Sequence, residues 1–350
     1  MKDLGNVSEV LVGPEGDQQR IDNFLLRQCK GVPRSHIYRI LRTGEVRVNG
    51  GRVDATRRVV EGDRVRIPPI RVAERSAEPG KGAARAPSGS SIPAIPVVHE
   101  DDALIVVDKP AGLAVHGGSG LSFGLIEALR ALRPQARFLE LVHRLDRETS
   151  GLLLVAKKRS ALTALHAQLR EGGMYKRYLA LGTGPWQGQS RAVDVPLRKY
   201  LTGAGERRVS VDKSEGREAR TMFRLERRLG RFTLLSAELD TGRTHQIRVH
   251  LAHLGCPIAG DDKYGDFDLN RELSRNGLKR MFLHAAELRF THPLDGATVQ
   301  FKAPLPRDLQ GFVDRLDADA VPMARAGSAG PATVAAAVPA PAPGRRSGAR

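Results

Sequence analysis

Residues 71–96 divide this chain. The stretch is built from Ala, Pro, Gly, Ser and charged residues and shows neither strand nor helix periodicity, so it has no face to bury and reads as a flexible linker. Apolar patterning returns on both sides of it. A chain of 350 residues so interrupted is expected to fold as two units. The expected parts are an N-terminal extension at 1–17, a small module at 18–70, the linker at 71–96, a body at 97–315 and an Ala/Pro/Arg-rich tail at 316–350 with too little to bury to be ordered.

Charge is concentrated in the small module. Residues 18–71 hold 13 Lys/Arg against 5 Asp/Glu, a net of +8 within 54 residues, out of +17 for the whole chain. Such an excess favours phosphate-rich partners. Nucleic acid is preferred over a membrane surface, because no basic amphipathic helix carries bulky aromatics. An Arg-rich surface with no partner is the bland alternative. No apolar run approaches the roughly 18–20 residues that cross a bilayer, and Met1–Val10 lacks the basic-then-apolar pattern of a secretory signal. Cys29 and Cys256 alone allow no disulfide framework and no thiolate metal site, so a reducing, cytoplasmic setting is the default.

Within the module, Ile21, Phe24 and Leu25 have the spacing of one helical face, and Ile37, Ile40 and Leu41 that of a second. Ser35 is read as the N-cap of the second helix and Gly44 as its stop. Arg39 and Arg42 then point to solvent. Val46-Arg-Val alternates into Asn49-Gly50, a hairpin signal, and Val65-Arg-Ile alternates again. In the body, Leu104–Val107, Leu152–Ala156, Tyr178–Leu181, Phe232–Leu239 and Phe282–Phe290 read as strands. Leu125–Leu132 and a helix capped by Ser160 read as helices. Strands outnumber helices and do not alternate with them, which favours a mixed α+β fold over a doubly wound one.

Two clusters could carry chemistry. In His143-Arg144-Leu145-Asp146-Arg147-Glu148-Thr149-Ser150-Gly151, guanidinium groups flank a carboxylate that leads into a buried strand, and they would keep it ionised. From spacing alone, Asp146 is more simply a turn or cap residue for Thr149 and Ser150. In the second cluster, strict alternation puts Gln246, Arg248 and His250 on one face of an extended segment. His245, His250 and His253 suggest a metal-dependent hydrolase, yet no His pair at i, i+4 with a companion Glu and no Cys pair accompanies them, so no metal is expected. Gly117-Gly-Ser-Gly lacks the ending of a phosphate loop, and no G-x-S-x-G is present.

These residues match known patterns. Arg20–Leu25, Pro33–Gly50 and Glu61–Val65 resemble the S4 RNA-binding domain, a small α-L type fold. That resemblance implies that Arg34, Arg39 and Arg42 contact phosphates. His143-Arg-Leu-Asp-Arg-Glu-Thr-Ser-Gly resembles the H-R-L-D-x-x-T-S-G motif of the RluA-type pseudouridine synthases. Asp108-Lys-Pro-Ala-Gly, Lys176-Arg-Tyr178, Gly242-Arg-Thr-His-Gln-Ile-Arg-Val-His with Pro257-Ile-Ala-Gly-Asp, and Phe282-Leu-His-Ala resemble four more elements of that family, in its order. Gly31–Ser35, Val115–Gly124 and Arg130–Arg144 are similar to the branch acting on several uridines of 23S rRNA.

The family implies an α+β catalytic domain with a mixed, mainly antiparallel sheet, and an isomerisation in which a flipped-out uridine is rejoined to its ribose through C5. It needs no cofactor. The resemblance makes Asp146 the essential carboxylate, either attacking C1′ or assisting loss of uracil. It makes Tyr178 the residue against the base, with a part in proton removal, and Arg248 the partner of Asp146 that also fills the space left by the base. His143, Arg144, Arg243, His245, Gln246 and Leu283 follow as substrate or RNA contacts. The expected partner is 23S rRNA or a large-subunit precursor, with a monomer as default and no membrane. A non-catalytic S4-type RNA-binding or ribosome-assembly factor is the alternative.

Overall fold

The computed structural model describes residues 6–29, 32–70, 94–117, 123–203 and 205–325. The expectations for residues 1–5, for most of the linker, for the Gly-rich loop at 118–122 and for the end of the tail lie outside the described residues.

The N-terminal module is two helices on a small sheet. It runs β1 (Ser8–Leu11), α1 (Ile21–Gln28), α2 (Arg34–Arg42), β2 (Arg47–Val48), β3 (Gly51–Arg52) and β4 (Arg64–Ile67), with sheet order β1-β4-β2-β3. The expected extension therefore belongs to the module: β1 pairs antiparallel with β4 and buries Val10. Ile21, Phe24 and Leu25 meet Ile37, Ile40 and Leu41 in one apolar cluster with Val46, Val48 and Val65. Asn49 and Gly50 have φ of 50° and 81°, the left-handed pair that a tight hairpin between β2 and β3 requires. Pro33, not Ser35, precedes α2; its fixed φ suits the entry, and Ser35 lies inside the first turn.

The body runs β5 (Val97–Glu100), β6 (Leu104–Lys109), α3 (Leu125–Leu132), β7 (Glu140–Leu141), β8 (Ser150–Ala156), α4 (Arg159–Glu171), β9 (Tyr175–Thr183), β10 (Ser190–Asp194), β11 (Leu197–Leu201), β12 (Arg207–Val211), β13 (Arg220–Leu229), β14 (Phe232–Leu239), α5 (Gln246–His253), α6 (Phe267–Arg275), β15 (Leu283–Thr291), β16 (Thr298–Lys302) and α7 (Arg307–Arg325). One large sheet follows the order β10-β13-β14-β9-β15-β8-β6-β5, with β16 beside β15 and β7 beside β8. Its pairings are antiparallel except between β15 and β8. This is the α+β class, with a mixed and mainly antiparallel sheet. β11 and β12 form a separate hairpin.

The apolar runs are continuous because the middle of the sheet is covered on both faces. Ile105, Val107, Leu153 and Val155 face α3, while Leu104, Val106, Leu152 and Leu154 face α4. Ser160 does not cap α4; Lys158 holds that position without a side-chain bond. Helix α7 continues past residue 315, the expected end of the body, because Leu316 still packs on the core and Asp317 pairs with Arg227. Module and body touch where Arg159 Nε donates to the Asp17 carbonyl at 3.0 Å.

Candidate active site

The central strands bring the two sequence clusters together. Asp146 lies on the loop between β7 and β8, just ahead of the parallel seam where Ser150 pairs with His284 and Gly151 with Ala285. On the other side of β15, Ala285 pairs with Tyr178 of β9, and Leu283 opens β15. Asp146, Tyr178, Arg248 and Leu283 thus line one cleft with Arg144, Arg243, His245 and Gln246.

The Asp146 loop is held from below. Lys109, fully buried, donates to the carbonyls of Pro110, Leu113 and Arg147 at 2.8, 2.9 and 3.0 Å. Gly112 N–H also reaches Arg147 O at 2.9 Å. Burial lowers Lys109 to about 8, with the carboxylates of Glu148 and Asp146 opposing. The turn expected from Asp146 and Thr149 exists, since Thr149 N–H bonds Asp146 O at 3.2 Å. The Asp146 side chain remains partly open to solvent.

The second cluster folds differently from its pattern. Gln246–His253 is a helix, not an extended segment. It is buried nearly all round, so its residues need not segregate polar from apolar, and the alternation carried no information about exposure. Gln246 and His250, one turn apart, both bond Thr221 Oγ1, whereas Arg248 projects to another face.

Arg248 is fixed. It donates to both oxygens of Asp261 at 2.7 and 2.6 Å, to Asp262 at 3.1 Å, and to Asp146 Oδ2 at 3.3 Å. The side chain is 4% exposed. Despite burial, the Asp261 bonds and charge raise its pKa further, so it stays a cation. The expected pairing with Asp146 is present. In this structure the guanidinium is bound by three carboxylates, Asp261, Asp262 and Asp146.

The other expected residues divide. Arg144 and Arg243 are exposed at the cleft mouth. His245 lies with Nε2 3.8 Å from Asp146 Oδ2. Tyr178 is 7% exposed, and burial with the nearby Asp146 charge pushes its hydroxyl far above its usual range, so it is a neutral phenol rather than a ready base. Gln246 is not available to RNA: its oxygen accepts from Thr241 and Arg243 N–H, and its nitrogen donates to Arg220 O and Thr221. His143 accepts the Leu154 N–H at 3.2 Å and is pushed down to about 4 by burial, a neutral ring holding the loop. Arg34, Arg39 and Arg42 are exposed on α2, well apart in sequence from the cleft. Both nitrogens of His250 are committed, to Thr221 and Val195 O. Among the described residues no group of His, Cys, Asp or Glu could hold a metal ion. Asp261, Lys109 and Tyr264 were not singled out from the sequence. Asp261 stood inside a quoted motif, but only the chain reversal after α5 shows its partner.

Known proteins resemble this chain in sequence and fold. A family model described as RNA pseudouridylate synthase matches residues 103–253, and one described as S4 domain matches residues 19–65. The chain is similar to solved structures titled Human RNA Pseudouridylate Synthase Domain Containing 4 and Domain Containing 1. The TM-scores are 0.52 and 0.51, each at 26% identity, covering 63% and 65% of this chain and 93% and 97% of those. The chain belongs to the RNA pseudouridylate synthase family, with an S4 domain ahead of the synthase body. Similar relatives carry one name, ribosomal large subunit pseudouridine synthase C. The Yersinia pestis protein is 54% identical over 309 residues, covering 87% of this chain and 94% of the relative. The Escherichia coli K12 protein is 53% identical over 315 residues, 89% and 97%. The Haemophilus influenzae protein is 50% identical over 313 residues, 89% and 95%.

Proposed function

We propose that this chain converts specific uridines of large-subunit (23S) rRNA, or of its precursor, to pseudouridine, with Asp146 as the carboxylate at the ribose. The observation that carries the reading is the Asp146–Arg248–Asp261 line. A buried, immobile arginine anchors one oxygen of a partly open carboxylate beside Tyr178. Arg248 and His245 both face Oδ2, while Oδ1 accepts no hydrogen bond from the described residues. One oxygen is held and the other is available to the sugar.

The C1′–N1 bond breaks, the base turns, C5 bonds to C1′, and the C5 proton is lost as N1 gains one. Atoms balance without an oxidant or group donor, so the reading includes no cofactor. Asp146 supplies negative charge at C1′, and Tyr178 and Leu283 wall the base as a phenol and an apolar surface. Extruding the uridine costs a few kcal/mol, which phosphate contacts from Arg144, Arg243 and the α2 arginines offset. The reading takes a monomer acting where rRNA is made, in the cytoplasm, as the active unit.

Mapping of pseudouridine in large-subunit rRNA fragments treated with purified protein tests this. Wild type should modify discrete uridines, and Asp146→Asn should bind the same fragments with unchanged affinity and make no product. Binding lost together with product would favour a non-catalytic RNA-binding factor, and no product from wild type would refute the reading.

A further inference from the structure

The β11–β12 hairpin stands beside the cleft without contributing to the groups above. Its inner residues Leu197 and Val209 pack with Ala219 and with Val249 of α5. Its outer residues Lys199, Tyr200 and Leu201 are exposed along a cavity of about 960 Å³ that also includes Arg144, His245 and Lys263. The hairpin is tied to the segment after α5 at three points. Arg208 donates to Lys263 O at 3.1 Å, Glu206 pairs with Lys263, and Val209 N–H donates to Tyr264 Oη at 2.9 Å.

Tyr264 Oη also lies 2.8 Å from His245 Nδ1. Val209 N–H already donates to the phenol oxygen, and the phenol has one proton of its own. Among the described residues its only acceptor is His245 Nδ1. The geometry allows Tyr264 to donate to Nδ1, an arrangement that leaves Nδ1 without a proton. Burial lowers the His245 pKa, which favours the neutral ring, and with Tyr264 as donor the ring proton sits on Nε2, the atom 3.8 Å from Asp146 Oδ2. The residue is held with φ of 55°, a left-handed conformation at the entry to α5 that a non-glycine residue rarely adopts. The edge of Tyr264 against the His245 ring, 5.5 Å between centroids, completes the fit.

We propose that Tyr264 is a positioning residue through which the β11–β12 hairpin fixes His245 as its Nε2–H tautomer, aimed at Asp146. RNA seated on the hairpin and the reacting carboxylate are then joined by one line of groups: Val209 N–H, Tyr264, His245, Asp146. At 3.8 Å the last approach is too long for a hydrogen bond, so Nε2–H acts on Asp146 through its charge and orientation. The inference rests on the assignment of Asp146 made above.

Full-length protein with 15N-labelled histidine tests it, with His245→Gln used to assign the His245 signals. Wild type should show a protonated Nε2 and an unprotonated, hydrogen-bonded Nδ1. Tyr264→Phe keeps the ring and removes only the hydroxyl. It should shift the Nδ1 signal, mix the tautomers and lower kcat roughly tenfold, the effect of one missing hydrogen bond, with KM for RNA within about twofold. A wild-type Nδ1–H tautomer overturns the proposal. So does Tyr264→Phe with wild-type kcat, or with its loss confined to KM. A wild-type protein with no activity refutes the Asp146 assignment instead, and the NMR spectrum still decides the tautomer.

Discussion

At the scale of single residues, the site depends on one arginine that cannot leave. Arg248 meets Asp261 inside the protein and Asp146 at its edge, so the inner carboxylate holds the guanidinium in place for the outer one. Asp261 is fully buried, and Arg248 with its bonds keeps the carboxyl below the usual range despite desolvation. Removing it leaves a buried cation with too few partners. Asp261→Ala should therefore lower the unfolding free energy by about 3–5 kcal/mol in urea titration. Asp261→Asn keeps the shape and should lose less stability, but it should still slow product formation because Arg248 is no longer held in one orientation. Wild-type rates in Asp261→Asn would show that Arg248 needs no anchor. That Asp146, Tyr178 and Arg248 meet in one cleft was legible in the sequence because they stand in motifs that resemble a family. Asp261 and Lys109 also stand in such motifs, but their partners Arg248 and Arg147, like the His245 partner of Tyr264, are brought close only by folding. Gln246 and His143 looked like contacts for a ligand, and the structure commits both to the backbone around them.

At the scale of elements, the strands were read well and the segment at 246–253 was not. Phe232–Leu239 and Leu152–Ala156 are apolar enough that only a strand buried on both faces, or a helix too short to be stable, fits them. Gln246–His253 alternates by chance within a helix whose surroundings are protein on nearly every side, so no period marks it. The seam between β8 and β15 sets where Asp146 and Leu283 stand, and it allows no side chain at Gly151. With φ of 109°, a Cβ there would lie 2.3 Å from Ala285 O. Gly151→Ala should cost more than about 2 kcal/mol and displace the Asp146 loop, seen as a lower Tm together with reduced activity. The same seam carries a pH response. His284 accepts from Ser150 at 2.9 Å and donates to Ala303 O at 3.2 Å, and burial lowers its pKa from 6.5 to about 4. Below pH 6.5 the unfolded chain binds a proton that the folded ring refuses. Stability should fall from about pH 6.5 to about 4 by roughly 3 kcal/mol from this residue, and level off where the folded ring also titrates. His143 adds a similar share, since burial lowers it to about 4 as well. Denaturant titrations across that window should give a slope about one proton shallower in His284→Gln than in wild type; equal slopes would contradict the assignment.

For the whole molecule, the question is how a body with its own cleft uses a separate basic module. Residues 18–71 hold a net of +8, nearly half of the +17 of the chain, and α2 presents Arg34, Arg39 and Arg42 to solvent. Among the described residues none of the three is held in a strong ion pair: Arg39 approaches Glu45 at 3.8 Å, with both side chains exposed. Such cations displace counterions from RNA phosphates at little cost to the protein's own stability. Since they share no residue with the cleft, they should govern where and how tightly RNA binds and leave the bond-making step alone. In a variant with all three changed to Gln, the affinity for a large-subunit rRNA fragment should fall, and the slope of log K against log salt should become shallower by about 2–3, close to one unit for each phosphate no longer neutralised. At saturating RNA the single-turnover rate of pseudouridine formation should stay within about twofold of wild type. If that rate fell with the affinity, the α2 arginines would belong to the assembly of the reacting complex and not only to docking. An unchanged salt slope would mean that the RNA approaches the body from a side the module does not reach.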